Sequence, residues 1–159
     1  MTFTHINKKK EIKMVNISEK KITSRIAKAK AKVKFSKTTF KRILDNGSPK
    51  GEIFNTARLA GILAGKKTHE LIPLCHNINL NSIEIQFKNI TKDSSIEVIS
   101  EVKTKSKTGV EIEALTACSV ACLTIYDMCK SIDKKIMINE IKLIFKRGGK
   151  SGNYINEDV

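Results

Sequence analysis

Residues 27–35 read Ala27-Lys28-Ala29-Lys30-Ala31-Lys32-Val33-Lys34-Phe35, nine residues in strict alternation. Alanine by itself favours a helix. A perfect period of two instead sets every lysine on one face of an extended chain. The stretch is therefore expected to be a strand. Immediately after it, Ser36 reads as an N-cap, and Phe40, Ile43 and Leu44 give a short helix ended by Asn46-Gly47. A second helix is expected to open at Thr56 and run through Ala57, Leu59, Ala60, Ile62 and Leu63 to about Leu71, where Pro73 stops it.

Further along, Ile83, Ile85 and Phe87 alternate with polar residues, as do Ile96, Val98 and Val102. Thr91-Lys92-Asp93-Ser94 between them is a hairpin turn. From Glu111 to Ile132 the pattern becomes a long helix, apolar on nearly every side, which must be buried most of the way round. Ile141, Leu143 and Phe145 supply a last strand. Strands alternating with helices around a central meander imply an α+β fold, with an antiparallel sheet carrying its helices on one face. A ferredoxin-like topology is the nearest simple match.

With 159 residues, the chain is long enough for one domain and short for two. Its 40% hydrophobic and 29% charged residues are those of a globular protein. Residues 1–13 look like a flexible basic arm, residues 14–147 a single catalytic domain, and residues 148–159 a glycine-rich flexible tail. Three lysines follow the first residues with no apolar run behind them, which is no signal peptide, and no stretch reaches membrane-span length. A cytoplasmic protein with no membrane partner is expected.

Thirty basic side chains face 16 acidic ones, a formal charge of +14. That excess suits an anionic partner, or it reflects lysines that merely keep the surface soluble. Cys118, Cys122 and Cys129 fall at i, i+4 and i+11, which return to one helix face, but no CxxC spacing marks a metal knuckle. They read as small core residues.

Four polar clusters interrupt apolar segments. Leu74-Cys75-His76 follows Pro73, so His76 sits on a rigidly aimed loop as a phosphate contact, an acid/base or a plain surface residue. Glu111 and Glu113 straddle the first turn of the long helix, where carboxylates suit the helix dipole or could accept N–H donors from a base edge. Asp127 and Lys130 are i, i+3 neighbours, either an ordinary helix-end ion pair or a general acid/base pair. Lys146-Arg147-Gly148-Gly149-Lys150-Ser151-Gly152 mixes cations and glycines as a polyanion cradle does. It lacks the first glycine of a phosphate-binding P-loop, because Ile144 stands there. Glu113 and Asp127 are separated by roughly 21 Å of helix at 1.5 Å per residue. A small substrate reaches both only if a second copy brings its opposite helix end near, so a homo-oligomer is expected.

Laid out in order, six stretches resemble the cyclic pyranopterin monophosphate synthase family, the C protein of molybdenum-cofactor biosynthesis. They are Met14-Val-Asn-Ile-Ser18, Thr56-Ala-Arg-Leu-Ala-Gly61, Glu70-Leu-Ile-Pro-Leu-Cys-His76, residues 107–116, Leu123-Thr-Ile-Tyr-Asp-Met-Cys-Lys130 and Arg147-Gly-Gly-Lys-Ser-Gly152. The resemblance covers nearly the whole chain. It implies a ferredoxin-like homohexamer, a trimer of dimers with sites at the dimer interface. It also implies a lyase that converts 3′,8-cyclo-7,8-dihydroguanosine triphosphate into cyclic pyranopterin monophosphate and pyrophosphate. By the same resemblance Asp127, Lys130 and Lys50 are catalytic, and substrate contacts fall on Leu74, Cys75, His76, Glu111, Ile112, Glu113, Lys146 and Arg25. No metal or cofactor is implied. Asn16 stands where the family usually has Asp, Ile112 where it has Met, and Cys118 and Cys122 where it more often has alanine. The different-class alternative is a nucleic-acid-binding module using the lysine face of residues 28–34. It has little stacking equipment, with 5% aromatics and no tryptophan.

Overall fold

The alternating stretch is the central strand β1 (Thr23–Lys34) of a five-stranded antiparallel sheet. A computed structural model of the chain describes residues 9–149 and 152–156. After β1 come α1 (Lys37–Asn46), α2 (Ile53–Lys66), the single turn α3 (Thr68–Leu71), β2 (Ser82–Ile90), β3 (Ser95–Ser106), α4 (Glu111–Cys129), β4 (Met137–Arg147) and the short β5 (Tyr154–Ile155). The sheet order is β2-β3-β1-β4-β5. Helices α2 and α4 are the crossovers, which gives the expected ferredoxin-like arrangement.

The period of two on β1 sets up both faces. Ala27, Ala29, Ala31 and Val33 are fully buried in one core with Ala114, Ala117, Cys118, Ala121, Cys122 and Ile125 of α4. The lysines line the other face, where they meet acids across the strands. Lys28 pairs with Glu101 at 2.6 Å, Lys30 with Glu97 at 3.6 Å, and Lys32 with Glu140 at 3.2 Å and Asp93 at 3.7 Å. Lys30 is buried despite facing outward. Three of the four outward lysines of β1 are thus held in ion pairs within the sheet.

Helix α4 packs against β1, β3 and β4 and, on its other side, against α2. The two helices cross at glycines: a Cβ on Gly61 would lie 2.7 Å from the Ala117 carbonyl and 2.3 Å from Ile85 Cδ1. Two buried polar bonds pin α4 to β3, from Ser100 Oγ to the Ala114 carbonyl at 2.7 Å and from Cys118 Sγ to the Val98 carbonyl at 3.5 Å. All three thiols of α4 are buried in the core. Among the described residues α4 is the one helix long and apolar enough to cross a membrane, and half of that span is buried within this chain as its core helix.

Several boundaries differ from the sequence expectation for local reasons. Helix α2 opens at Ile53, not Thr56, because Glu52 caps it, accepting from the Phe54 amide at 3.2 Å. Thr56 lies inside and returns its hydroxyl to the Glu52 carbonyl at 2.6 Å. The expected run to Leu71 breaks at Lys67 before α3. Helix α4 stops at Cys129, whose carbonyl accepts from Ile132 at 3.0 Å and Asp133 at 3.2 Å in a tightened turn. β5, which no periodicity announced, pairs Ile155 with Phe145 and Tyr154 with Lys146. Of the expected basic arm, residues 1–8 lie outside the described residues, and Ile12 on the remainder is exposed. Lys150 and Ser151 of the glycine-lysine cluster, and residues 157–159, also lie outside them.

The close helix crossing makes a direct prediction. Gly61→Val should destabilise the fold by about 1–3 kcal/mol or more, because one new contact is a backbone carbonyl that cannot swing aside. Urea unfolding checks it, through a lower midpoint at unchanged slope.

Candidate active site

The sequence-predicted site residues gather at the two ends of α4. At its N-terminal end the chain enters through Gly109 and Val110, and the helix starts with Glu111. Glu113 is 5% exposed. The loop after α3 turns back on itself, the Cys75 amide bonding the Ile72 carbonyl at 3.0 Å. That turn brings Leu74, Cys75 and His76 beside the helix start. Together they wall a cavity of about 320 Å³ with Glu111, Ile112 and Glu113.

Burial lifts the Glu113 carboxyl to about 6, with the nearby Glu111 charge adding to the rise and a backbone hydrogen bond opposing it. Burial, then Glu113, push the Cys75 thiol up as well, so at neutral pH it is a neutral group and no nucleophile. A carboxylate buried in this way is a strong acceptor for N–H donors of a flat heterocycle.

A second cavity of about 720 Å³ adjoins the first. Arg25 on β1 lies in its wall with Gly148 and Gly149 from the end of β4. Both glycines have positive φ, 98° and 88°, and a Cβ on either would strike the Ser24 carbonyl or the Arg25 guanidinium. The glycines let the backbone close over the arginine. Arg25 donates from Nη2 to the Lys107 carbonyl at 3.5 Å, while its buried Nε has no partner among the described residues. Lys146 reaches Glu111 at 3.1 Å and ties β4 to the helix start.

At the other end of α4, Asp127 lies between two ammonium groups, Lys130 at 2.6 Å and Lys50 at 2.8 Å. Lys130 holds the carboxyl down most strongly and Lys50 next, to about 2. Asp127 in turn raises the Lys130 ammonium above its ordinary value. Lys50 is placed by the turn before α2. Gly47 and Gly51 take positive φ there, Ser48 Oγ donates to the Met128 carbonyl at 2.8 Å, and the Lys50 amide donates to Ser48 Oγ at 3.1 Å. Asp127 is 54% exposed at its side chain, not buried like Glu113, so little dehydration opposes the lysines that lower it.

Within one chain these two groups remain apart, as the helix length requires. The sequence reading missed other cavity walls: Lys20, Lys21, Thr23, Lys107, Thr108 and Gly109. Lys107, Thr108 and Gly109 do lie within the stretch 107–116 that carries the family resemblance, which was the available signal.

Comparison with known proteins gives the family. The sequence pattern of the MoaC family matches residues 14–149. The cyclic pyranopterin monophosphate synthase of Desulfatibacillum aliphaticivorans is 49% identical over 155 residues, 98% of each chain. That of Heliobacterium modesticaldum is 48% identical over 155 residues, again 98% of each.

The raised Glu113 carboxyl fixes the sign of a pH effect. Its folded value lies above the ordinary 4.5, so its contribution to stability is complete below that value and is lost as pH rises through about 6. The loss should amount to about 2 kcal/mol by neutral pH. Urea unfolding at acid and neutral pH should show Glu113→Gln with a flatter pH dependence and a gain over wild type at neutral pH. Parallel pH profiles for the two proteins would contradict this assignment.

Proposed function

The chain belongs to the MoaC family, and from that membership we propose that it catalyses the cyclic pyranopterin monophosphate synthase reaction of molybdenum-cofactor biosynthesis. The substrate is 3′,8-cyclo-7,8-dihydroguanosine triphosphate, and pyrophosphate is the leaving group. The observation that carries this function is near-half identity over almost the full length of relatives bearing that name. The catalytic domain is residues 14–147, and the location is cytoplasmic.

The site chemistry follows from the groups on hand. The purine-derived ring enters the smaller cavity, where Glu113 accepts its N–H donors and Leu74, Cys75, His76 and Ile112 enclose it. The phosphates extend into the larger cavity toward Arg25 and Lys146. A sugar hydroxyl then attacks the α-phosphorus, and the cations stabilise the charge building on the departing pyrophosphate. Rebuilding the ring moves several protons. Asp127 stays ionised at any ordinary pH and keeps Lys130 protonated, which makes Lys130 a proton donor rather than a resting base. Lys50 completes that acid/base group.

Both groups act on one substrate only if two copies share the site. Helix α4 favours this: the helical layer exposes Leu59, Leu63, Ile112 and Leu123, with Leu59 at 60% and Leu123 at 57%. A second copy laid across this layer about a two-fold axis near Val120 would cover the apolar side chains. It would also set Asp127 of each copy near Glu113 of the other. A trimer of such dimers is the assembly proposed.

Asp127→Ala and Lys130→Ala should each abolish pterin and pyrophosphate formation while leaving the circular dichroism spectrum unchanged. Mixing inactive Asp127→Ala with inactive Glu113→Gln, followed by refolding, should restore about a quarter of wild-type turnover if each site draws on two copies. No restoration would place the whole site within one chain.

A further inference from the structure

We propose that Ser48 is a positioning residue for the reaction, its hydroxyl fixing to α4 the turn that presents Lys50 to Asp127. This rests on the reading of Asp127, Lys130 and Lys50 as the acid/base group. The two lysines divide one carboxylate between them, Lys50 on Oδ2 and Lys130 on Oδ1. Lys130 is the C-cap residue of α4, so the helix itself sets its place. Lys50 arrives from 77 positions away, on a turn between two other helices. The ion pair is a weak tether for that turn. Both side chains are about half exposed, and holding a long lysine in one geometry costs its rotamer freedom.

The end of α4 supplies a firmer anchor. A helical carbonyl accepts from the amide four residues on. For Met128 that donor would be the Ile132 amide, which instead bonds the Cys129 carbonyl at 3.0 Å as the chain tightens past the helix. The Met128 carbonyl is thereby released, one residue from Asp127, and Ser48 Oγ donates to it at 2.8 Å across 80 positions. The same oxygen accepts the Lys50 amide at 3.1 Å. A carbonyl can only accept and an amide only donate, so the single hydroxyl proton has one place. The bonds run in one direction, from the Lys50 amide through Ser48 into α4.

The rest of the turn leaves this chain of bonds little slack. At its start the Gly47 amide bonds the Ile43 carbonyl at 3.0 Å, and at its end the Gly51 amide bonds the Ser48 carbonyl at 3.1 Å. Pro49 between them has a fixed φ. Adjacent residues of α4 are thus gripped by alternate residues of the turn, the Met128 backbone by Ser48 and the Asp127 side chain by Lys50. Without the hydroxyl the turn keeps its internal bonds but loses its backbone tie to α4. The Lys50 ammonium then samples positions away from Asp127, and fewer bound substrate molecules meet a complete acid/base group.

Steady-state turnover of the full-length protein on the cyclised triphosphate, together with hydrogen exchange read over residues 47–53, tests this. Ser48→Ala should lower kcat about 5-fold or more, the worth of one hydrogen bond, and leave KM near wild type. Exchange over residues 47–53 should quicken while exchange within α4 stays as in wild type. Ser48→Thr keeps the hydroxyl and should restore both. The proposal is overturned if Ser48→Ala turns over like wild type, if its KM rises while kcat holds, if α4 exchanges faster along with the turn, or if Ser48→Thr rescues nothing. A wrong assignment of the reaction would look different: wild type would leave the cyclised triphosphate unconverted. Exchange over residues 47–53 would then decide the tether by itself, quickening in Ser48→Ala if the hydroxyl holds the turn and staying unchanged if it does not.

Discussion

The closeness of α4 to β1 governs the rest of the structure. Ala27, Ala29 and Ala31 present a nearly flat surface to the core they share with Ala114, Cys118 and Cys122 of α4, while Ala117 and Ala121 meet Gly65 and Gly61 of α2. Small side chains on both partners let the helix lie near the sheet, and Gly61 and Gly65 let α2 close from the far side. Dense interiors resist sliding, because any shift opens voids or forces overlaps. A helix clamped in this way has fixed ends. The groups to which chemistry is assigned stand at one end or the other, or on strands and loops beside those ends.

The two ends give carboxylates of opposite character on one helix. Glu113 is buried and hard to ionise, while Asp127 is exposed between two ammonium groups and hard to protonate. Dehydration dominates the first and charge neighbours the second. The first suits recognition of hydrogen-bond donors, and the second suits holding a lysine charged. The large positive charge of the chain is sorted in a similar way. Lys28, Lys30 and Lys32 of β1 pair with acids of β3, of β4 and of the turn before β3. Lys20, Lys21, Arg25 and Lys107, by contrast, surround the larger cavity.

Much of this was legible along the chain because it is local. The alternation at residues 27–34, the Ser36 cap and the turn at 91–94 depend on neighbours a few residues away, and each was found. The Asp127–Lys130 pair is a helix-spacing effect and was legible too. The start of α2 was misplaced because a glutamate served as cap, a residue type that rarely announces one. β5 is two residues long and exists only because β4 offers an open edge. The outward lysines looked like a possible anion surface until their cross-strand partners came into register.

Secondary-structure periods, the Ser36 cap and the separation of Glu113 from Asp127 along one helix were determined by the sequence, since each follows from backbone geometry and near neighbours. Only the tertiary structure decided that Glu113 is dehydrated, that Lys50 reaches Asp127 from 77 positions away, and that Lys107 joins the Ser18 carbonyl to Arg25. Those facts depend on contacts between segments distant in the chain. Spacing along a sequence carries no information about such contacts until the core has packed and set the distances.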